Sequence, residues 1–171
     1  MGQAHAQGSP NSMVFSPQEI NKLYKRFKKL DLQNTGELRP EDFQDIPALA
    51  QNPLISRIIA IFDKNKTGRI SFVEFIKGLE VLSVGASEEE KLRFMFKIYD
   101  VDEDGFISPT DLSKVLRLMV GLNLTEQQLA QLVDRTIQKG DEDRDGRISY
   151  IEFCKMVKNL DIVKKLTLTY E

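Results

Sequence analysis

One twelve-residue pattern recurs four times in this chain, and it restricts the fold more than any other feature. The segments are DLQNTGELRPED (31–42), DKNKTGRISFVE (63–74), DVDEDGFISPTD (100–111) and DEDRDGRISYIE (141–152). Each opens on Asp, carries Gly at its sixth place and an acid at its twelfth, and has an apolar residue at its eighth: Leu38, Ile70, Ile107 and Ile148. Four copies in register, with room for a helix on both sides of each, are a repeat rather than a chance cluster of acids. The apolar eighth place suits a short strand pairing two loops back to back, which predicts two lobes of two loops each.

The chemistry behind such a loop is the binding of a hard divalent cation. Calcium takes six to eight oxygen ligands at about 2.3–2.6 Å, so a short loop must wrap around it. Side chains at places one, three, five and nine and the carbonyl at seven point inward, glycine at six permits the sharp turn, and the acid at twelve closes the shell. This is the EF-hand pattern. The expected fold is therefore all-α, with an N-terminal lobe over 16–84 and a C-terminal lobe over 85–160. Residues 1–15 read as a flexible lead and 161–171 as a tail.

Helix-start signals frame the loops. Ser16-Pro17-Gln18-Glu19, Ser87 to Glu90 and Thr125 to Gln128 each combine a capping residue with a partner three places on, and Asn52-Pro53 marks another start. In loops two and four the capping box falls on metal-shell positions, Ser71 with Glu74 and Ser149 with Glu152.

The loops differ in quality. Loop four offers Asp141, Asp143, Asp145, the Arg147 carbonyl, Ser149 and Glu152, a full set. Loop three has Asp100, Asp102, Asp104, the Phe106 carbonyl and Ser108 but closes on Asp111, one methylene shorter than glutamate, which predicts weaker calcium binding or better tolerance of magnesium. Loop two has Asp63, Asn65, Thr67, the Arg69 carbonyl, Ser71 and Glu74, and its three basic residues outnumber its two acids. Loop one keeps Asp31 but has Gln33, Thr35, Arg39 and a closing Asp42, so it is expected to be weak or empty. Two to four calcium ions are expected, with magnesium tolerated at the weaker sites.

Other classes of function fit poorly. A net charge of −2 on a chain with 29% charged residues gives no dense positive surface for nucleic acid. The only histidine, His5, lies in the polar N-terminal lead, and the carboxylates are committed to the loops, so no nucleophile and base can be paired for catalysis. A lone cysteine, Cys154, and no apolar leader or membrane-length run point to a cytoplasmic setting. The apolar residues of the second half exceed what a lobe of its size can bury. Val115, Leu116, Met119 and Val120 on one helix, with Phe153, Met156 and Val157 on another, are expected to line a groove for a partner helix. The alternating tail Lys165 to Tyr170 suits an extended segment covering that groove or the partner.

From Ser16 onward the chain resembles the calcineurin B regulatory subunits. The resemblance rests on segments outside the loops: Lys25 to Asp31 (KRFKKLD), Gln51 to Leu54 (QNPL), Lys91 to Phe94 (KLRF), Leu118 to Gly121 (LMVG), and Leu160 to Ile162 with Lys164-Lys165. It implies a regulatory protein that holds a helix of the catalytic A subunit of a calcium- and calmodulin-dependent phosphatase in an apolar groove and helps calcium activate it. It implies further that the stretch from Leu116 to Leu124 helps form a surface for immunophilin-drug complexes, with Leu122 replacing an expected polar residue. Gly2 matches the family's myristoylated glycine, although Ala6 stands where the acylation pattern has Ser or Thr; peripheral membrane contact would follow only from acylation. Two rival readings stay open at this point, a calcineurin-B-homologous cofactor of a sodium-proton exchanger and a calcium buffer without a partner.

Overall fold

A computed structural model describes residues 14–43 and 52–158. Helix α1 (Pro17–Leu30) opens the N-terminal lobe, followed by strand β1 (Glu37–Leu38) and a 3-10 turn (Pro40–Phe43). Helix α2 (Ile55–Phe62), strand β2 (Ile70–Ser71) and helix α3 (Phe72–Leu82) complete it. The C-terminal lobe runs α4 (Glu88–Tyr99), β3 (Phe106–Ile107), α5 (Pro109–Val120), α6 (Glu126–Gly140), β4 (Ile148–Ser149) and α7 (Tyr150–Val157).

The expected all-α architecture is present, with seven α-helices among the described residues and one antiparallel strand pair per lobe. The eighth-place residues face each other across each pair, Leu38 with Ile70 and Ile107 with Ile148, and all four are buried. Ser16, Ser71, Ser87, Thr125 and Ser149 all form the capping boxes predicted for them. Each box satisfies amide donors that a helix start would otherwise leave unpaired. Asn52-Pro53 acts differently. The Asn52 side chain accepts from the Leu54 amide at 3.0 Å in a turn ahead of the helix, which begins only at Ile55.

Two apolar clusters form the core. One gathers Phe27, Leu38, Phe43, Ile59, Phe62, Ile70 and Phe75, and it also takes in Phe94, Ile98 and Val115 from the C-terminal lobe. The other lies within the C-terminal lobe, around Met95, Phe96, Ile107, Leu112, Val133, Ile137, Ile148, Phe153 and Val157, with Cys154 packed against it. The lobes thus share apolar contact, and a polar clamp adds to it. The Arg57 guanidinium on α2 donates to the carbonyls of Lys97 (2.9 Å), Ile98 (3.1 Å) and Asp100 (3.1 Å), capping the C-terminal end of α4 where loop three begins. Residues 1–13, 44–51 and 159–171 lie outside the described part, and with them Gly2, His5 and the C-terminal tail.

Candidate metal centres

All four loops are built on the same backbone frame. The first-place aspartate accepts from two amides of its own loop, those of places five and six. For Asp31 these distances are 2.8 and 2.8 Å, for Asp63 3.0 and 2.7 Å, for Asp100 3.2 and 3.1 Å, and for Asp141 3.1 and 2.9 Å. The turn that delivers those amides needs left-handed backbone twice. Glycine takes it at place six, with φ between 75° and 89°, and a non-glycine takes it at place four: Asn34, Lys66, Glu103 and Arg144. The sequence pattern announces the first of these and conceals the second.

The fifth place divides the loops. In loops three and four it is aspartate, and Asp104 and Asp145 each accept from the place-seven amide at 2.9 Å. Loops one and two have threonine there. The Thr35 hydroxyl lies 2.9 Å from the Glu37 carbonyl and 3.3 Å from Asp31 Oδ1, and the Thr67 hydroxyl 3.1 Å from the Arg69 carbonyl and 3.3 Å from Asp63 Oδ1. A neutral hydroxyl thus sits between the first- and seventh-place oxygens, the pair an ion would otherwise bring together.

The closing acids divide the loops again. Glu152 holds the Ser149 amide and hydroxyl with Oε2, both at 2.8 Å, and reaches across loop four with Oε1 to the amides of Glu142 (2.8 Å) and Asp143 (3.4 Å). Glu74 does the same in loop two, with Ser71 on one oxygen and the Asn65 amide at 3.4 Å on the other. Asp111 forms a further capping box with Ser108, one not among those expected although Ser-Pro-Thr-Asp has the required spacing. In loop one both oxygens of Asp42 are occupied by Arg39, the backbone amide at 2.7 Å and the guanidinium at 3.3 Å. The ninth place of loop one thus neutralises the acid that should close it.

Charge follows the same division. One carboxylate oxygen from each of Asp100, Asp102 and Asp104 lies within 4.8 Å of the others, and so it is for Asp141, Asp143 and Asp145. Burial, then crowding by Asp104 and Asp102, raises the Asp100 carboxyl above its ordinary range against the pull of the Gly105 and Asp104 amides. Asp143 is held down by the Asp145 amide, yet burial and the nearby Asp145, Glu152 and Asp141 leave it raised. Neither acid has an ion-pair partner among the described residues. Asp31 is the reverse: burial would raise it, but the amides of Gly36 and Thr35 and the Lys28 ammonium, 3.7 Å away, hold it low. Glu152 is lowered to about 2 by the Ser149 amide, against burial, with help from the Ser149 hydroxyl and the Glu142 and Asp143 amides.

These donor sets fit a hard divalent cation at loops three and four. The test is an orphaned atom: Asp111 is 1% exposed, and its Oδ1 is buried with no hydrogen-bond partner among the described residues. A carboxylate oxygen cut off from both water and donors is costly unless a cation completes it. The Arg147 guanidinium, 3.8 Å from the Phe106 ring centre and 3.8 Å from Asp104, ties loop four to loop three.

The residues expected to line a groove take up different places. Val115 is wholly buried in the shared core, and Phe153 and Val157 are buried in the C-terminal one. Leu116 and Met156 pack on that second core, Val120 is half-buried, and Met119 is 46% exposed. Beside Met119, Leu118 is 42% exposed and Leu122 is 97% exposed, an apolar group at the end of α5. No helix among the described residues is long and apolar enough to cross a membrane.

Comparison with known proteins agrees with this geometry. The EF-hand domain pair family matches residues 20–80 and 89–158. The type 2 calcineurin B subunit of Homo sapiens is 51% identical over 154 residues, covering 90% of this chain and 91% of that protein. The calcineurin B subunit of Naegleria gruberi is 49% identical over 154 residues, covering 90% and 87%. That of Schizosaccharomyces pombe is 44% identical over 171 residues, covering 98% of each.

Proposed function

This chain belongs to the calcineurin B family of EF-hand proteins, and from that premise we propose that it holds a helix of the catalytic A subunit and confers calcium sensitivity on it. Proteins of this family are regulatory calcium sensors and not catalysts. The observation that carries the reading is the exposed apolar group of Leu118 and Met119 on the helix that leaves loop three and of Leu122 just past its end. Asp111 in the first turn of α5 belongs to the metal shell, so a change at the loop bears directly on the helix that presents this surface. Met119 and Val120 would touch the partner helix, while Val115, Leu116, Phe153, Met156 and Val157 form the packed layer behind them.

The metal centres supply the calcium dependence. Bound calcium would supply the positive charge that the crowded acids of loops three and four lack. Asp141, Asp143, Asp145, the Arg147 carbonyl and Glu152 would hold it in loop four; Asp100, Asp102, Asp104, the Phe106 carbonyl and Asp111 form the set of loop three. Asp63, Asn65, Thr67, the Arg69 carbonyl and Glu74 form a weaker set, and Asp31 anchors the weakest. Immunophilin-drug complexes are proposed to meet the assembled pair through Leu116 to Leu124, and Gly2 is the proposed site of acylation, read by mass spectrometry of the protein from a eukaryotic cell.

Co-expression with a calcineurin catalytic subunit tests the central claim. Met119→Glu places an unpaired charge against an apolar helix, a cost of several kcal/mol, so the complex should fail while calcium binding persists. Normal pairing by the variant, or wild-type protein that ignores the catalytic subunit and captures a sodium-proton exchanger tail, would overturn it.

A further inference from the structure

Loops two and three belong to different lobes yet border the same space. Asp63 and Asp100, their first-place aspartates, line one cavity of about 470 Å³ together with Lys66 and Glu103. Two polar contacts bridge the lobes there. Lys66 and Glu103, the fourth-place residues of the two loops, pair at 3.5 Å, but both side chains are largely exposed, and such a pair contributes little. Arg57 is different. It sits in the first turn of α2, and its one guanidinium occupies the carbonyls of Lys97, Ile98 and Asp100. A helix leaves its last carbonyls without partners of its own, and at the end of α4 the other lobe supplies the charged donor.

What Arg57 joins gives the contact a consequence. On one side it holds the backbone of Asp100, whose carboxylate opens loop three and accepts from the Asp104 and Gly105 amides. On the other side, α2 is only eight residues long, about 12 Å. It ends on Asp63, which opens loop two and whose amide donates to the Ile59 carbonyl. A short helix held at its first turn delivers its last residue to a fixed place. We propose that Arg57 couples the calcium sites of the two lobes. With Asp100 committed to an ion, the carbonyls that Arg57 grips are fixed, α2 is held with them, and loop two binds calcium more tightly. By linkage, filling loop two tightens loop three by the same factor. Loop two has only two ligand acids, so its affinity gains from such pre-organisation. The inference rests on the reading of loop two as a weaker calcium site.

A calcium titration of the full chain followed by NMR reads the sites separately. The Gly68, Gly105 and Gly146 amides each donate to the first aspartate of their own loop and so report loops two, three and four. Asp102→Ala combined with Asp111→Asn removes two ligand acids from loop three, leaves every partner of Arg57 in place, and should empty the loop. Calcium binding at Gly68 should then weaken by about fivefold or more. In an Arg57→Gln background the same change should move Gly68 by less than about twofold, with Gly146 responding as in wild type. Arg57→Lys keeps the charge but not the fork that spans three carbonyls, so it should retain only part of the coupling, and it carries the test if Arg57→Gln does not fold. The proposal is overturned if emptying loop three leaves Gly68 unchanged, or tightens it because repulsion between the two cations outweighs the clamp. It is overturned too if the dependence survives in Arg57→Gln, or if that variant weakens Gly146 as much as Gly68, since Arg57 would then only hold the fold together. A wild-type Gly68 amide that ignores calcium would remove the metal reading of loop two and the coupling with it, whereas a calcium response at Gly68 that is indifferent to loop three removes the coupling alone.

Discussion

Loops one and two carry threonine where loops three and four carry aspartate, and this single place separates the lobes. A threonine hydroxyl supplies a hydrogen bond inside the loop and no charge, so the N-terminal loops hold their shape with their own groups. The C-terminal loops gather three carboxylates within 4.8 Å, with Asp100 and Asp143 raised by burial and crowding. They are folded around a charge imbalance that a cation relieves. A shared backbone frame therefore does not imply shared affinity: the frame comes from amides given to the first aspartate, and affinity comes from the third, fifth and twelfth side chains.

The sharpest way to break this comparison is to remove the best closing acid. Glu152→Gln keeps the size but loses charge and the grip of two carboxylate oxygens, so calorimetry should show the tightest calcium event weakened by about a hundredfold or more. Asp31→Ala should leave the calcium isotherm nearly unchanged. Equal losses from the two would erase the distinction between the lobes. The metal-free protein offers a second reading of the same residue. With its carboxyl lowered from an ordinary 4.5 to about 2, Glu152 contributes stability that is fully present above pH 4.5 and lost as pH falls toward 2. Glu152→Gln should flatten that part of the acid-unfolding curve.

The next effect is on packing between the helices of a lobe. A Cβ on Gly78 of α3 would collide with the ring of Phe62, a buried and rigid neighbour, whereas one on Gly140 of α6 would meet chiefly the flexible end of Met156. Gly78→Ala should destabilise the protein by about 2 kcal/mol in chemical denaturation, and Gly140→Ala by clearly less. A reversed order would show that the N-terminal lobe yields more easily than its aromatic packing implies.

Much of this was legible in the chain itself. The four loops, their pairing through Leu38, Ile70, Ile107 and Ile148, and five capping boxes follow from local spacing, because each depends on residues within one short segment. What was hidden depends on distance or on side-chain direction. Nothing in the spacing shows that Arg57 would cap a helix of the other lobe, or that Val115 would join a core shared by both. The same holds for Arg39: its place in loop one marked a poor site, but only geometry shows it covering both oxygens of Asp42. Periodicity groups the apolar residues of α5 and α7 together, and it cannot tell a lobe's own core from a surface left for a partner.

Restoring charge in loop two asks whether the fifth place is as decisive as the comparison holds. Thr67→Asp removes the hydroxyl between Asp63 and the Arg69 carbonyl and adds a third acid to a loop already closed by Glu74. Calcium affinity at loop two, followed through the Gly68 amide, should rise by about tenfold. No change would mean that Lys64, Lys66 and Arg69, and not the missing acid, set the limit.

The smallest effect is expected in loop one. Arg39→Ser frees Asp42 from its guanidinium partner and places serine three residues before the closing acid, the arrangement Ser108 and Asp111 form in loop three. Gln33 and Thr35 remain, however, so Asp31 and Asp42 would still be the only charged ligands. Calcium binding read at the Gly36 amide should therefore improve by no more than about threefold to fivefold, because affinity follows the number of charged ligands. The variant separates two reasons for a weak site. A much larger gain would show that loop one is limited by an occupied closing acid, and the contrast between threonine and aspartate at the fifth place would then no longer explain why the N-terminal lobe binds less.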